Sequence, residues 1–311
     1  MADVAIKRFD KTFASPVVLA SGPGGFGLEL HAELRLADVG AVTFKTITLE
    51  AMRGNPQPRL VDCPSGALNS IGMENPGVAA FLARIAPQLG DLPTQRILSV
   101  AASTAEELAT LLTMVESHAA SKALDAIELN LSCPNIEGRR VGADAKLVRR
   151  YVQTARDITG RVLLAKLPGD TGNLLASGEA ALSVGADGLT LINTLLAMRI
   201  DRTVGRAFLH RTYGGLCGPA ILPIALARVY EAREAFPDAV IIGTGGVVDL
   251  GGMVEMLLAG ADLVGVGFGV MADPELPQRL RKELGEWLDM RGYSSVEEIV
   301  GAAHRGGFYV R

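Results

Sequence analysis

The chain has 311 residues and a mass of 32.6 kDa, enough for one large barrel or two ordinary domains around a sizeable core. With 49% hydrophobic and 21% charged residues it is neither a disordered chain nor a coiled coil. Lys+Arg 30 against Asp+Glu 34 leaves a net charge of -4, which gives no electrostatic footprint for nucleic acid but still allows a locally basic pocket for a small anion.

The first 16 residues, MADVAIKRFDKTFASP, lack the basic start and long apolar run of a signal peptide, and no stretch reaches the ~18 apolar residues of a membrane span. Short runs rich in Val, Ile and Leu then recur: VVLASG from Val17, AVTFKT from Ala41, RILSVA from Arg96, AIELNLS from Ala126, VLLAKLP from Val162, GLTLINT from Gly188, VIIGTGG from Val240 and LVGVGFG from Leu263. Helical patterns lie between them. The clearest is a capping box at Ser103-Thr104-Ala105-Glu106, followed by Leu108, Leu111, Leu112 and Val115 at helical spacing. Eight strand-then-helix units predict a (β/α)8 TIM barrel, an α/β fold forming a single domain over 1–311. A doubly wound open sheet would carry G-x-G-x-x-G after its first strand, and SGPGGFG at Ser21 has its glycines at other spacings. Two segments exceed plain connections, 47–75 and 195–217, and are expected as insertions at the barrel mouth, the first turn-rich enough for a small hairpin lid.

In AIELNLSCPN, alternation puts Ile127, Leu129 and Leu131 on one face and Glu128, Asn130 and Ser132 on the other. The apolar set should face the helices and the polar set the barrel interior. Lys45, Lys166 and Asn193 stand at or near the ends of the second, fifth and sixth strands, where this fold builds its sites. Each lysine alone could be a snorkelling or salt-bridged residue; recurrence on separate strands favours a site.

Cys63, Cys133 and Cys217 are too few and too scattered for a disulfide framework, a zinc site or an iron–sulfur cluster, which fits a reduced, cytoplasmic compartment. Cys133 follows the fourth strand between Asn130 and Asn135, where a thiol can serve as base or nucleophile, whereas Cys63 and Cys217 read as small buried hydrophobes. Gly243-Thr244-Gly245-Gly246 after strand seven and Gly265 to Gly269 at strand eight match the usual phosphate-binding loops of barrels, and Gly214-Gly215 through Gly218 could approach the same ligand. His31, His118, His210 and His304 show no ligand spacing, so no metal is expected.

Taken in order, SGPGGFG, KTITLE with GNPQPR, LNSIGMENPG, ELNLSCPN, AKLP, LINTLLAMRID, GGLCGPAI and IIGTGGV resemble the class 1 dihydroorotate dehydrogenases over essentially the whole chain. LINTLLAMRID with GGLCGPAILPIAL is more like the NAD-linked class 1B than the fumarate-linked class 1A. The resemblance implies FMN-dependent oxidation of (S)-dihydroorotate to orotate in pyrimidine (UMP) synthesis. It implies Cys133 as the base that takes a proton from carbon 5 while hydride leaves carbon 6. Substrate contacts would come from Lys45, Asn69, Ser70, Ile71, Gly72, Met73, Asn130, Asn193 and Thr194. FMN contacts would come from Ser21, Lys45, Thr46, Ser99, Asn130, Lys166, Ile192, Gly218, Gly245, Gly246, Gly267 and Phe268. It further implies a homodimeric core and a partner subunit carrying FAD and a [2Fe–2S] cluster that passes electrons to NAD.

The chain departs from the family pattern at Ser99, where asparagine is usual, at Phe268 for threonine, at Leu222 for lysine, and at Arg139 and Arg140, where glycines are usual. Two other readings remain: a barrel lyase with a Schiff base on Lys166 or Lys45, and a flavin-binding subunit with an inert Cys133.

Overall fold

A computed structural model of the chain describes residues 2–29, 34–132, 141–170 and 172–307. The chain opens with a hairpin, β1 (Ile6–Arg8) and β2 (Lys11–Phe13), paired antiparallel. Phe9 from its turn and Phe13 from β2 sit against Gln95, Ala126, Val162, Ile242 and Leu263, at or near the starts of five barrel strands, so the hairpin covers the N-terminal end of the barrel. Lys11 is tied to Asp125 at 2.8 Å on the same end.

β3 (Val17–Leu19) and β4 (Ala41–Thr43) begin the barrel. The first insertion then forms β5 (Leu60–Cys63) and β6 (Gly66–Asn69) before the barrel resumes with β7 (Gln95–Val100), β8 (Ala126–Asn130), β9 (Val162–Pro168) and β10 (Gly188–Asn193). The second insertion carries β11 (Leu195–Ala197), the small hairpin β12 (Ile200–Asp201) and β13 (Arg206–Ala207), and β14 (Gly214–Cys217). β15 (Val240–Thr244) and β16 (Leu263–Val266) complete the ring. The eight barrel strands pair in parallel in the order β3-β4-β7-β8-β9-β10-β15-β16, and β16 closes on β3. All eight strand runs of the sequence are barrel strands.

Helices between the strands present their apolar stripes to the outer face of the barrel. Helix Ala105–Ser117 buries Leu108, Leu111, Leu112 and Val115, each contributing about 1.5–3 kcal/mol when fully removed from water. Its cap lies one residue later than the sequence suggests. Thr104, not Ser103, accepts from the Glu107 backbone N–H at 3.0 Å, and the Glu107 carboxylate takes the Ser103 N–H at 2.7 Å. With glutamate at both 106 and 107, sequence alone cannot fix the register, and the return bond from Glu107 decides it.

The two insertions meet in one antiparallel sheet of order β11-β14-β6-β5, with Asn69 opposite Gly215 and Ala67 opposite Cys217. This sheet holds segments more than 120 residues apart over the strand C-termini, where the loops of a barrel build its site. Among the described residues no helix is long and apolar enough to cross a membrane.

Candidate active site

A cavity of about 540 Å³ opens between the C-terminal ends of the barrel strands and the insertion sheet. Its wall brings together Ser21, Lys45, Asn69, Ile71, Lys166, Ile192, Asn193, Thr194, Gly218, Gly245, Gly246, Gly267 and Phe268, all anticipated from the sequence. Thr46, Ser99 and Asn130 do not line it but stand behind the wall. The Ser21 hydroxyl donates to the Phe44 carbonyl at 2.9 Å and lies 3.2 Å from Thr46 Oγ1, which is 3.0 Å from Ser99 Oγ. Ser99 is fully buried, so its hydroxyl supports Thr46. Ser70, Gly72 and Met73 also lie outside the wall; Asn55 ties this loop down by donating to the Ser70 carbonyl at 2.9 Å.

Parallel pairing and alternation place the amides. Asn130 ends β8 opposite Lys166 of β9, and Asn193 ends β10. Asn193 Nδ2 donates to Asn130 Oδ1 at 3.2 Å and to the Ser132 hydroxyl, which itself donates to Asn130 Oδ1 at 2.6 Å. Asn193 Oδ1 accepts the Thr194 backbone N–H at 2.7 Å, and Asn130 Nδ2 donates to Thr46 Oγ1 at 3.3 Å. Asn193 thus has its orientation fixed by three partners at the cavity wall. Amides of this kind suit a ring bearing both N–H donors and carbonyl acceptors. Cys133, Asn135, Arg139 and Arg140 fall outside the described residues, as does His31.

Two lysines line the cavity beside Arg59, Lys45 just past the end of β4 and Lys166 on β9. Burial pushes the Lys45 ammonium below the ordinary lysine range, opposed by the negative charges of Glu74 and Glu29 and reinforced by Arg59. Glu74 and Arg59, both in the wall, pair at 2.5 Å. Lys166 is 7% exposed and has Glu128 4.0 Å away.

The glycine loops are shaped by close approach. Gly218 has φ +97°, and a Cβ there would lie 2.5 Å from Gly66 Cα and 3.3 Å from the Phe268 ring. At Gly246, φ +85°, a Cβ would meet the Leu222 backbone N at 2.6 Å. Leu222 therefore packs beneath this loop, at the start of helix Leu222–Ala235, and takes no place in the wall. Gly267 differs, since a Cβ there would meet nothing closer than Ala20 Cβ at 3.5 Å and would take up cavity space.

Cys217, read from the sequence as a small buried hydrophobe, lies in the wall, where burial pushes its thiol up and its Sγ donates to the Ala67 carbonyl at 3.3 Å. Arg59, Leu60, Glu74, Ile221, Thr244 and Met271 also line the cavity. Arg59, Leu60 and Glu74 lie within the first insertion, but nothing in their local pattern sets them apart. His118 and His304 hold structure. His118 caps a 3-10 turn by accepting the Ala120 N–H, and His304 stacks on Tyr230 with ring centroids 3.8 Å apart. Among the described residues no group of side chains is arranged to hold a metal ion.

Eight parallel strands, a basic and amide-rich cavity at their C-terminal ends and glycine loops after strands seven and eight define a barrel enzyme acting on a small anionic ligand. The family model for dihydroorotate dehydrogenase matches residues 3–288, and the chain belongs to that family. It is 37% identical over 298 residues to the dihydroorotate dehydrogenase B (NAD(+)) catalytic subunit of Desulforudis audaxviator, covering 95% of this chain and 96% of that one. The catalytic subunit of the same name from Carboxydothermus hydrogenoformans is 37% identical with 98% of each chain covered, and that of Phocaeicola vulgatus 34% identical with 97% and 99% covered. The fold matches the crystal structure of the Eimeria tenella enzyme in complex with ferulenol at a TM-score of 0.80 and 21% identity, over 97% of this chain and 89% of that one.

Proposed function

We propose that this chain is the FMN-binding catalytic subunit of an NAD-linked dihydroorotate dehydrogenase, oxidising (S)-dihydroorotate to orotate in pyrimidine synthesis. One observation carries the reading: two lysines, the fixed Asn193 amide and the loops at Gly245, Gly246 and Gly267 converge on a single cavity at the barrel mouth.

The residues present fit FMN. With no Cβ at Gly267, the cavity space between it and Ala20 is left for a phosphate to approach the backbone, and Gly245 and Gly246 stand in the same wall. The Lys166 ammonium favours negative charge developing on a reduced ring. Ser21, Ile192, Gly218 and Phe268 complete the proposed contacts, with Thr46, Ser99 and Asn130 acting from behind the wall. When bound, FMN supplies the hydride acceptor.

The chain's own residues do the rest. Lys45 supplies a cation for the substrate carboxylate, and Asn69, Asn193 and Thr194 orient the ring from the wall, with Asn130 behind Asn193. Ile71 lines the cavity on the same side, and Ser70, Gly72 and Met73 carry the loop that holds it there. Cys133 takes the proton from carbon 5 as hydride leaves carbon 6.

Electrons leaving the flavin need either a small acceptor entering the cavity mouth or a second chain, and the second is the reading taken. This sequence has no dinucleotide-binding fingerprint, and three cysteines cannot supply four thiolates to a [2Fe–2S] cluster. The relatives' names, each a catalytic subunit of an NAD(+) enzyme, support a separate electron-transfer subunit; FAD and a [2Fe–2S] cluster are assigned to it here. The same reading takes residues 1–311 as one domain, a homodimeric core and a cytoplasmic location.

The test is acceptor choice. The FMN-loaded chain should reduce an artificial dye with dihydroorotate but not NAD, and gain NAD reduction when the partner is added. Efficient fumarate reduction by the chain alone would instead place it with the fumarate-linked class.

A further inference from the structure

Within the barrel, below the cavity floor, lies a carboxylate that the reaction outlined above does not use. Glu128 points inward from the middle of β8, is 1% exposed, and sits two residues before Asn130. Its Oε2 accepts the Thr190 hydroxyl at 2.9 Å, a bond that reaches across β9 to β10 inside the barrel. Its Oε1 is buried with no hydrogen-bond partner and stands 4.0 Å from Lys166 Nζ. Lys166 is flanked in register by Asn130 on β8 and Thr190 on β10, and its ammonium reaches the cavity wall.

A carboxylate this deeply buried is costly unless an opposite charge compensates it, and an apolar residue would fill the barrel interior at less cost. The pair is also left open, because 4.0 Å is attractive for charges but too long for a hydrogen bond. The ammonium is therefore balanced from below while its N–H donors stay available to a group in the cavity above.

We infer that Glu128 is a positioning residue for Lys166: held by Thr190, it anchors the ammonium at the cavity floor and sets the net charge that the floor presents to the flavin. The inference rests on the FMN reading of the cavity. Glu128 touches neither flavin nor substrate and acts through Lys166.

The test is a double-mutant cycle read by the affinities of oxidised and reduced FMN, taken from flavin titration and equilibrium redox potentials. Glu128→Gln removes a negative charge behind the ammonium, so the ratio of reduced to oxidised affinity should rise by about tenfold. In a Lys166→Met background only the direct effect of the carboxylate charge on the flavin is left, so the same replacement should shift the ratio by a clearly smaller factor, about threefold or less. Thr190→Val keeps both charges and loses only the bond that aims the carboxylate. It should give a shift of about threefold that also vanishes with Lys166→Met, and it serves if Glu128→Gln does not fold. Equal shifts in both backgrounds, or none in either, overturn the role of Glu128 while leaving the FMN reading intact. Wild-type chain that takes up no FMN overturns both.

Discussion

Replacing Asn193 with leucine probes the amide cluster at nearly constant volume. The change deletes the Nδ2 donations to Asn130 Oδ1 and Ser132 and the acceptor for the Thr194 N–H, three interactions fixed by the end of β10. Each is worth about 0.5–1.5 kcal/mol net, and because the site is only half-buried the three together put about 1.5–3 kcal/mol of positioning at stake. At about 1.4 kcal/mol per tenfold, that corresponds to roughly tenfold to 10²-fold in the rate of flavin reduction divided by the substrate dissociation constant. Anaerobic stopped-flow mixing with dihydroorotate would measure it, with the orotate-induced change in the flavin spectrum reporting binding separately. FMN content should fall less than orotate affinity, because of the three partners only Asn130 also carries a proposed FMN role. A folded Asn193→Leu chain with wild-type reduction rate and wild-type orotate affinity would refute the role given to the cluster.

Gly218→Ala should lower both FMN content and thermal stability, by about 1–3 kcal/mol for the overpacking, because its Cβ would lie 2.5 Å from Gly66 Cα at a φ of +97°; a melting curve and flavin-to-protein absorbance ratio check this. Lys45 carries a depressed pKa caused first by burial, so orotate affinity should fall as pH rises through a value below the ordinary lysine value of about 10.4. The sign for stability is the reverse: burying this ammonium costs the fold most at low pH, and the cost lessens as pH rises and the folded state releases the proton. Lys45→Met should remove the alkaline limb from the binding profile. Cys133→Ala should keep FMN and orotate binding yet slow flavin reduction by about 10²-fold or more, and Cys133→Ser should keep partial activity shifted to higher pH, both read by the same stopped-flow assay.

Much of the frame was legible because the local signals agree. Each barrel strand is a short aliphatic run followed by turn residues, and alternation along AIELNLS correctly aims Glu128 and Asn130 inward. The lysines and Asn193 stood out because polar groups are unusual at the ends of such runs. What stayed hidden depends on partners far along the chain or on atypical turns. The sheet that roofs the cavity pairs Asn69 with Gly215, and four strands of three or four residues give too little periodicity to announce a pairing over that separation. The β1–β2 hairpin was missed because its two turn residues, Phe9 and Asp10, both adopt positive φ without the Asn-Gly or Asp-Gly signature that usually marks such turns. The partners of Glu128 come from two other strands, so only barrel closure reveals that it stands behind Lys166.

The most direct measurement is anaerobic mixing of the FMN-reconstituted chain with (S)-dihydroorotate while following the visible flavin band. Loss of that band with one orotate formed per flavin is the expected result. A chain that binds no FMN, or bound flavin that stays oxidised in excess dihydroorotate, would contradict the assignment.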